Sequence, residues 1–187
     1  MKPWNQKQRI MRRYNQSAHT YDTQYHEEQE AKITTIMHNI HLKHNSTVLD
    51  AGCGTGILLK HLTDTVKLIV GIDISRNLLK KAREKAQHYQ NVALVLADAD
   101  NQPFPQHTFD AAFAVTLLQN TPSPKATLTE IQRVSKQNAM IAVTGLRKKF
   151  TQNGFLELLN QAGLTIDSLK QDKHNREYVG TCHKTQS

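Results

Sequence analysis

The stretch V-L-D-A-G-C-G-T-G, residues 48–56, decides how the rest of the chain is read. A short apolar run ends in an acid, Asp50, and glycines then alternate with other residues at 52, 54 and 56. An extended segment running into such a turn is how a parallel α/β sheet brings its main chain close to a nucleotide. A phosphate-cradling P-loop would close on Gly-Lys-Ser/Thr, whereas this chain has Gly56-Ile57-Leu58. A dinucleotide turn would carry its third glycine one position later, where Ile57 stands. The pattern excludes the first reading and weakens the second.

Outward from this turn, extended and helical patterns alternate. T-V-L-D (47–50) reads as a strand and I-L-L-K-H-L (57–62) as a helix. L-I-V-G-I-D (68–73) is a buried strand, and Ser75 is placed to cap a helix with Leu78, Leu79, Ala82 and Ala86 on its apolar face. Further strands are expected at V-A-L-V-L-A (92–97), F-D-A-A-F-A-V (109–115) and A-M-I-A-V-T-G (139–145). Leu128, Ile131 and Val134 mark one helix, and Phe155, Leu158 and Leu159 another. L-T-I-D-S-L (164–169) and R-E-Y-V-G-T-C (176–182) read as a closing pair of strands. Before Asn45 the pattern is helical to about Leu42, with Ile10, Met11 and Tyr14 on one face and Ile33, Ile36, Met37 and Ile40 on another. This predicts a Rossmann-like α/β sheet with helices on both faces. A single domain is expected, with a helical cap over residues 1–44 and a core over 45–187.

Composition narrows the setting. The chain of 187 residues is long enough for one full hydrophobic core. No apolar run has the length that spans a bilayer, and the N-terminus lacks the apolar block of a secretory signal. Two distant cysteines, Cys53 and Cys182, form neither a disulfide framework nor a metal site, and a cytoplasmic setting is expected. His38, His41 and His44 drift round a helix and read as a polar face, not a metal site. The formal net charge is +8. Lys2, Lys7, Arg9, Arg12 and Arg13 form one basic cluster and Arg147, Lys148 and Lys149 another, which suits a polyanionic partner.

Acids at three successive strand ends sharpen the ligand. Asp50 would welcome an ammonium and a sulfonium, Asp73 can accept from both ribose hydroxyls, and Asp98 can accept from an adenine amine beside the Ala99 N–H. That set suits S-adenosylmethionine (SAM) better than a phosphorylated nucleotide. On these residues, together with G-I-D-I-S (71–75), A-D-A-D-N-Q-P-F-P (97–105), F-D-A-A-F-A-V-T-L-L-Q-N (109–120) and L-T-E-I-Q-R-V (128–134), the chain resembles the class I SAM-dependent methyltransferases of the small type 11 family. The resemblance covers roughly residues 45 to 145.

The resemblance implies a seven-stranded, mostly parallel sheet with an antiparallel C-terminal hairpin. It implies that Gly52, Cys53 and Gly54 approach the methionine part of the cofactor above Asp50. Asp73 would hold the ribose, Ile74 would lie against the adenine, and Asp98 and Ala99 would read its edge. Thr116 would line the same pocket, and Tyr14 or Tyr21, from the Y-N-Q-S-A-H-T-Y-D motif (14–22), would lie over it. The turn before the fifth strand departs from the family's L-K-P-G-G, with Asn138 standing in for a glycine. Gln119 replaces the arginine that quinone-pathway C-methyltransferases carry before the asparagine, which counts against a quinone acceptor.

No obligate catalytic residue follows from the sequence, because methyl transfer from a sulfonium needs alignment and water exclusion above all. Asn120 and Arg147 are candidate acceptor contacts, and His19 and His26 candidate bases. No long insertion follows the fifth strand to form a lid, and both basic clusters fall near the expected mouth. The leading expectation is therefore methylation of RNA or of a ribonucleoprotein component, with an activating protein partner as a further expectation. A small-molecule acceptor and a catalytically silent scaffold remain as alternatives.

Overall fold

The structure is a computed structural model describing residues 3–171 and 176–185; Lys2 of the first basic cluster lies outside them. Helices α1 (Pro3–Ser17) and α2 (Tyr21–Met37) precede β1 (Thr47–Ala51), α3 (Leu59–Leu62), β2 (Leu68–Asp73), α4 (Arg76–Ala86) and β3 (Val92–Leu96). There follow β4 (Phe109–Ala114), α5 (Pro124–Val134), β5 (Ser135–Leu146), α6 (Gln152–Gln161), β6 (Leu164–Gln171) and β7 (Glu177–Lys184). The strands form one sheet in the order β3-β2-β1-β4-β5-β7-β6. The pairs among β1 to β5 are parallel, while β7 runs antiparallel to both β5 and β6. This is the expected Rossmann-like sheet with its antiparallel C-terminal hairpin.

The central strands read as continuous apolar runs because both of their faces are covered. Alternate residues serve alternate faces. Leu49, Ile72, Ala112 and Ile141 join Leu128 and Ile131 of α5 and Phe155 and Leu159 of α6 in one core. Val48, Ile69 and Phe113 meet Ile33 and Ile36 of α2 and Leu59 and Leu62 of α3 in the other. Phe155 reaches under β5 only because Gly145 has no side chain, since a Cβ there would lie 2.5 Å from its ring. Asn138 has a φ of 61°, the left-handed conformation anticipated for a glycine substitute.

Side-chain caps from Ser75, Ser123 and Thr151 start α4, α5 and α6. Ser75 Oγ accepts from the Leu78 N–H at 3.2 Å and itself donates to Asn15 Oδ1 of α1 at 2.7 Å. Because Ser75 is buried, Ser75→Ala strands a helix N–H and an inter-helix acceptor. It is expected to cost about 1–2 kcal/mol, read as a fall of several degrees in thermal midpoint.

The N-terminal region departs from the expected helix to Leu42. The chain turns at residues 18–20, and α2 stops at Met37. The side chains of His38 and Asn39 bond back to the carbonyls of Thr34 and Thr35 and so occupy the last acceptors of the helix. The chain then bends to bury Ile40 in the core. His38, His41 and His44 therefore share no helix face. No helix among the described residues is long and apolar enough to cross a membrane.

Candidate cofactor and acceptor site

The sheet order reverses between β1 and β4, and the carboxyl ends of β1, β2 and β4 open onto a cavity there, as the switch-point rule for parallel sheets predicts. The glycine turn forms one wall. Its Gly52 and Cys53 N–H groups both donate to Ile72 O, at 2.8 and 2.9 Å, which ties the turn to β2. Gly52 and Gly54 have φ of 75° and 56°, and a Cβ built on Gly54 would meet nothing within 4 Å. Main chain thus stands bare at the cavity. Ile74, Asp98 and Ala99 line the opposite wall, and Tyr14 and Tyr21 reach over from the cap. The space is about 690 Å³ with its open mouth, within the range of small-molecule sites. A side chamber continues it past Gly52 and Gly54 to Asp50 and Cys53.

The electrostatics of this end are unusual. Asp50 is buried, and its Oδ2 has no hydrogen-bond partner among the described residues. Burial, with the Asp73 carboxylate adding to it, pushes the Asp50 carboxyl up to about 7. Asp73 accepts from the Ser75 N–H at 2.7 Å and the Gly54 N–H at 3.0 Å. Burial outweighs these bonds and raises it to about 6. Two buried acids facing bare main chain make a site short of positive charge, which suits a ligand bearing an ammonium and a sulfonium. Burial raises the Cys53 thiol well above its ordinary value, so it stays protonated and serves as packing.

These shifts set a pH dependence. Raised carboxyls favour the neutral acid in the fold, so their contribution to stability is fullest below the ordinary carboxylate value. It is lost as pH rises through about 6 and 7. A cationic ligand favours ionised Asp50. Ligand-induced stabilisation is therefore expected to be larger at pH 8 than at pH 6, and Asp50→Asn to flatten that difference, both measured by thermal shift with SAM.

The Asp98 end of the cavity holds a contact that sequence patterns did not reveal. Lys7 Nζ on α1 lies 2.6 Å from Asp98 Oδ2 and 2.6 Å from Asp100 Oδ2. Asp98 Oδ1 accepts the Asp100 N–H at 3.0 Å. Each oxygen keeps a second lone pair, so Asp98 can still accept from an amine. Helix α1 buries no residue. It is held by polar ties: Lys7 to the two acids, Asn15 to Ser75 and Asn77, and Arg13 to Asn120 at 2.9 Å. Such an element opens at low cost.

A second cavity adjoins the first and shares Tyr14, Tyr21, Thr116 and Asn120 with it. It measures about 1080 Å³ with its mouth and lies between the cap helices and the ends of β4, β5 and β7. At its floor, Lys32 of α2 is fully buried, 2.8 Å from Glu28 and 3.0 Å from Glu177 of β7. Gln119 donates to Glu177 at 3.0 Å. Thr116 has a φ of 57°, rare for a β-branched residue. That conformation lets its N–H donate to Thr144 Oγ1 at 2.7 Å while its hydroxyl meets Gln29 and Lys32 at 3.1 and 3.2 Å. Burial keeps the Tyr14 and Tyr21 phenols protonated.

The residues expected from the sequence thus converge, with three differences. Arg147 is exposed and lines neither cavity, whereas its neighbour Lys148 lines the second. His19 and His26 are exposed and also line neither. Asn120 lies at the junction, but its amide donates to Thr116 O and its oxygen accepts from Arg13. Lys7, Lys32 and Glu177 gave no local signal, because each is defined by a partner far along the chain.

The chain matches the family model described as "Methyltransferase domain" over residues 49–143, more than half its length. It is 36% identical over 109 residues to a demethylmenaquinone methyltransferase of Staphylococcus haemolyticus, covering 57% of this chain and 46% of that one. A Bacillus licheniformis demethylmenaquinone methyltransferase is 29% identical over 137 residues, covering 72% of this chain and 58% of that one. The chain therefore spans about half the length of the curated relatives it matches. Its fold is that of a chain in the complex between the Haloferax volcanii Trm112 methyltransferase activator and a methyltransferase, with a TM-score of 0.83, 15% identity, and 92% and 98% of the two chains covered. A SAM-dependent methyltransferase from Aquifex aeolicus superposes with a TM-score of 0.77 at 20% identity, over 90% and 97% of the two chains. With the glycine turn, the acid-lined cavity and the family match in agreement, the chain belongs to the class I SAM-dependent methyltransferases of type 11 and uses SAM as its cofactor.

Proposed function

We propose that this methyltransferase transfers its methyl group to a small molecule held in the second cavity. The observation that carries this reading is the shared wall of Tyr14, Tyr21, Thr116 and Asn120, which puts an open-mouthed acceptor space directly beside the cofactor space. Asp50 and the Gly52–Gly54 main chain would take the methionine part of SAM, Asp73 the ribose, and Asp98 with Ala99 the adenine. Bound SAM supplies a methyl group already activated by its sulfonium. The chain's own residues then orient an acceptor at Thr116 and Asn120 and exclude water by closing α1 and α2 over it. Positioning of this kind is worth about 7–11 kcal/mol in favourable cases.

RNA, the leading expectation from charge, finds less support. Of the 147–149 basic run only Lys148 lines the cavity, beneath the cap helices that the sequence already led one to expect as cover. Glu28, Gln29, Gln119 and Glu177 set polar groups among the tyrosine rings of the acceptor space, which suits an acceptor with both polar and apolar parts. Transfer of labelled methyl from SAM into fractionated cell extract tests the reading. Label is expected in the low-mass fraction, and label confined to RNA or protein would overturn it.

We also propose a protein partner at β3. This strand closes one side of the sheet, and Leu96 on it is 50% exposed beside Leu94, with Arg76, Lys80 and Arg83 around them. An unpaired apolar edge is a template for a strand from another chain, and the basic rim suits an acidic one. The structural neighbour that is complexed with an activator protein supports the existence of a protein partner, not its place. Leu96→Lys is expected to abolish co-purification with the partner, and unchanged capture would refute this site.

A further inference from the structure

We infer that the acceptor is a small anion whose carboxylate or phosphate group is received at the mouth of the second cavity by Arg13, Lys148 and Arg176. The inference rests on the small-acceptor reading above and specifies its chemistry. The three cations come from separate parts of the chain, namely α1, the turn after β5 and the approach to β7, and all line this one cavity. Among the described residues, no carboxylate pairs with any of them. Arg13 is held in place, with its guanidinium 4.8 Å from the Tyr14 ring centroid and donating to Asn120 Oδ1 at 2.9 Å. The fork of five donors retains others for an anion. The Arg147 N–H donates to Arg176 O at 2.9 Å, which fixes the approach to β7 against the turn carrying Lys148.

The acids of the cavity are committed elsewhere. Glu28 and Glu177 both engage the buried Lys32 ammonium, at 2.8 and 3.0 Å. Two carboxylates on one ammonium leave the floor one negative charge in excess, while the mouth carries three cations with no carboxylate partner among the described residues. A cationic acceptor would pass three like charges on its way in. An anionic one is drawn toward them, in the same direction as the net charge of +8. The rings of Tyr14, Tyr21 and Tyr25 stand with neighbouring centroids 6.0 and 5.1 Å apart and planes tilted by 62° and 51°, an aromatic wall for the apolar part of an acceptor. The anion at the mouth then leaves the other end of the acceptor facing Thr116 and Asn120, beside the cofactor space.

Matched probes test the charge preference. Benzoate, phenyl phosphate and benzylamine are titrated calorimetrically into protein saturated with S-adenosylhomocysteine. At least one anion is expected to bind tenfold or more tightly than benzylamine, and their order distinguishes a carboxylate from a phosphate site. Combined Lys148→Gln and Arg176→Gln substitution is expected to remove the preference while leaving S-adenosylhomocysteine affinity unchanged. Equal affinities, tighter benzylamine, no binding of either anion, or a preference that survives the substitutions would overturn the inference. In the labelled-extract experiment, low-mass label retained by an anion exchanger supports it, and low-mass label in the unretained fraction overturns it alone. Label in RNA overturns the small-acceptor reading as well.

Discussion

Asp73→Asn is expected to weaken SAM binding about tenfold to a hundredfold, measured by calorimetry. The carboxylate stands at the end of β2, in the cavity wall, with two backbone N–H groups already bound. Its remaining lone pairs are the acceptors proposed for the ribose hydroxyls, and hydrogen bonds to a charged group are worth about 1.5–3 kcal/mol each. Asparagine keeps the shape but offers one acceptor oxygen, so either Gly54 or Ser75 loses its partner. A stability loss of about 1–3 kcal/mol is expected on that account, offset by relief of the buried negative charge beside Asp50. The two readouts separate the roles. A lowered thermal midpoint with SAM affinity within twofold of the parent would show that Asp73 holds the turn and does not hold the ribose.

The second large effect is on stability. Lys32→Met is expected to cost about 3–5 kcal/mol, because it strands Glu177 as a buried charge without its ammonium. Lys32 and Glu177 join α2 to β7, so the loss falls on the attachment of the cap to the sheet. The thermal midpoint should drop by some 6 °C or more for a chain of this size. Combining Lys32→Met with Glu177→Gln should recover much of the loss, since neither charge then remains buried. If the single and double variants unfold at the same temperature, the ion pair is not what holds α2 in place.

Much of this was legible residue by residue. The apolar runs at β1, β2 and β4, the cap at Ser75 and the left-handed Asn138 are local matters, set by periodicity, by a hydroxyl three residues from an N–H, or by one backbone angle. The convergence of Asp50, Asp73 and Asp98 on one end of the sheet was legible for the same reason, since each acid sits at or just past a strand end. The N-terminal region was less so. The helical reading ran on to Leu42 past the true end at Met37, because that stop lies in the side chains of His38 and Asn39 folding back on their own turn. Arg147 was favoured over Lys148, although adjacent residues of a turn point in different directions and only the folded turn shows which faces the cavity.

By itself the sequence determined the α/β sheet, the glycine turn and the methyl donor, because these depend on short-range pattern and on acids at strand ends. The tertiary structure alone decided how the cap is tied to the sheet and what the acceptor space offers. Lys7 meets Asp98 from 91 positions away and Lys32 meets Thr116 from 84. A lysine in a polar helix reads as a solvated charge until the fold supplies its partner, and no local pattern encodes a contact across that distance.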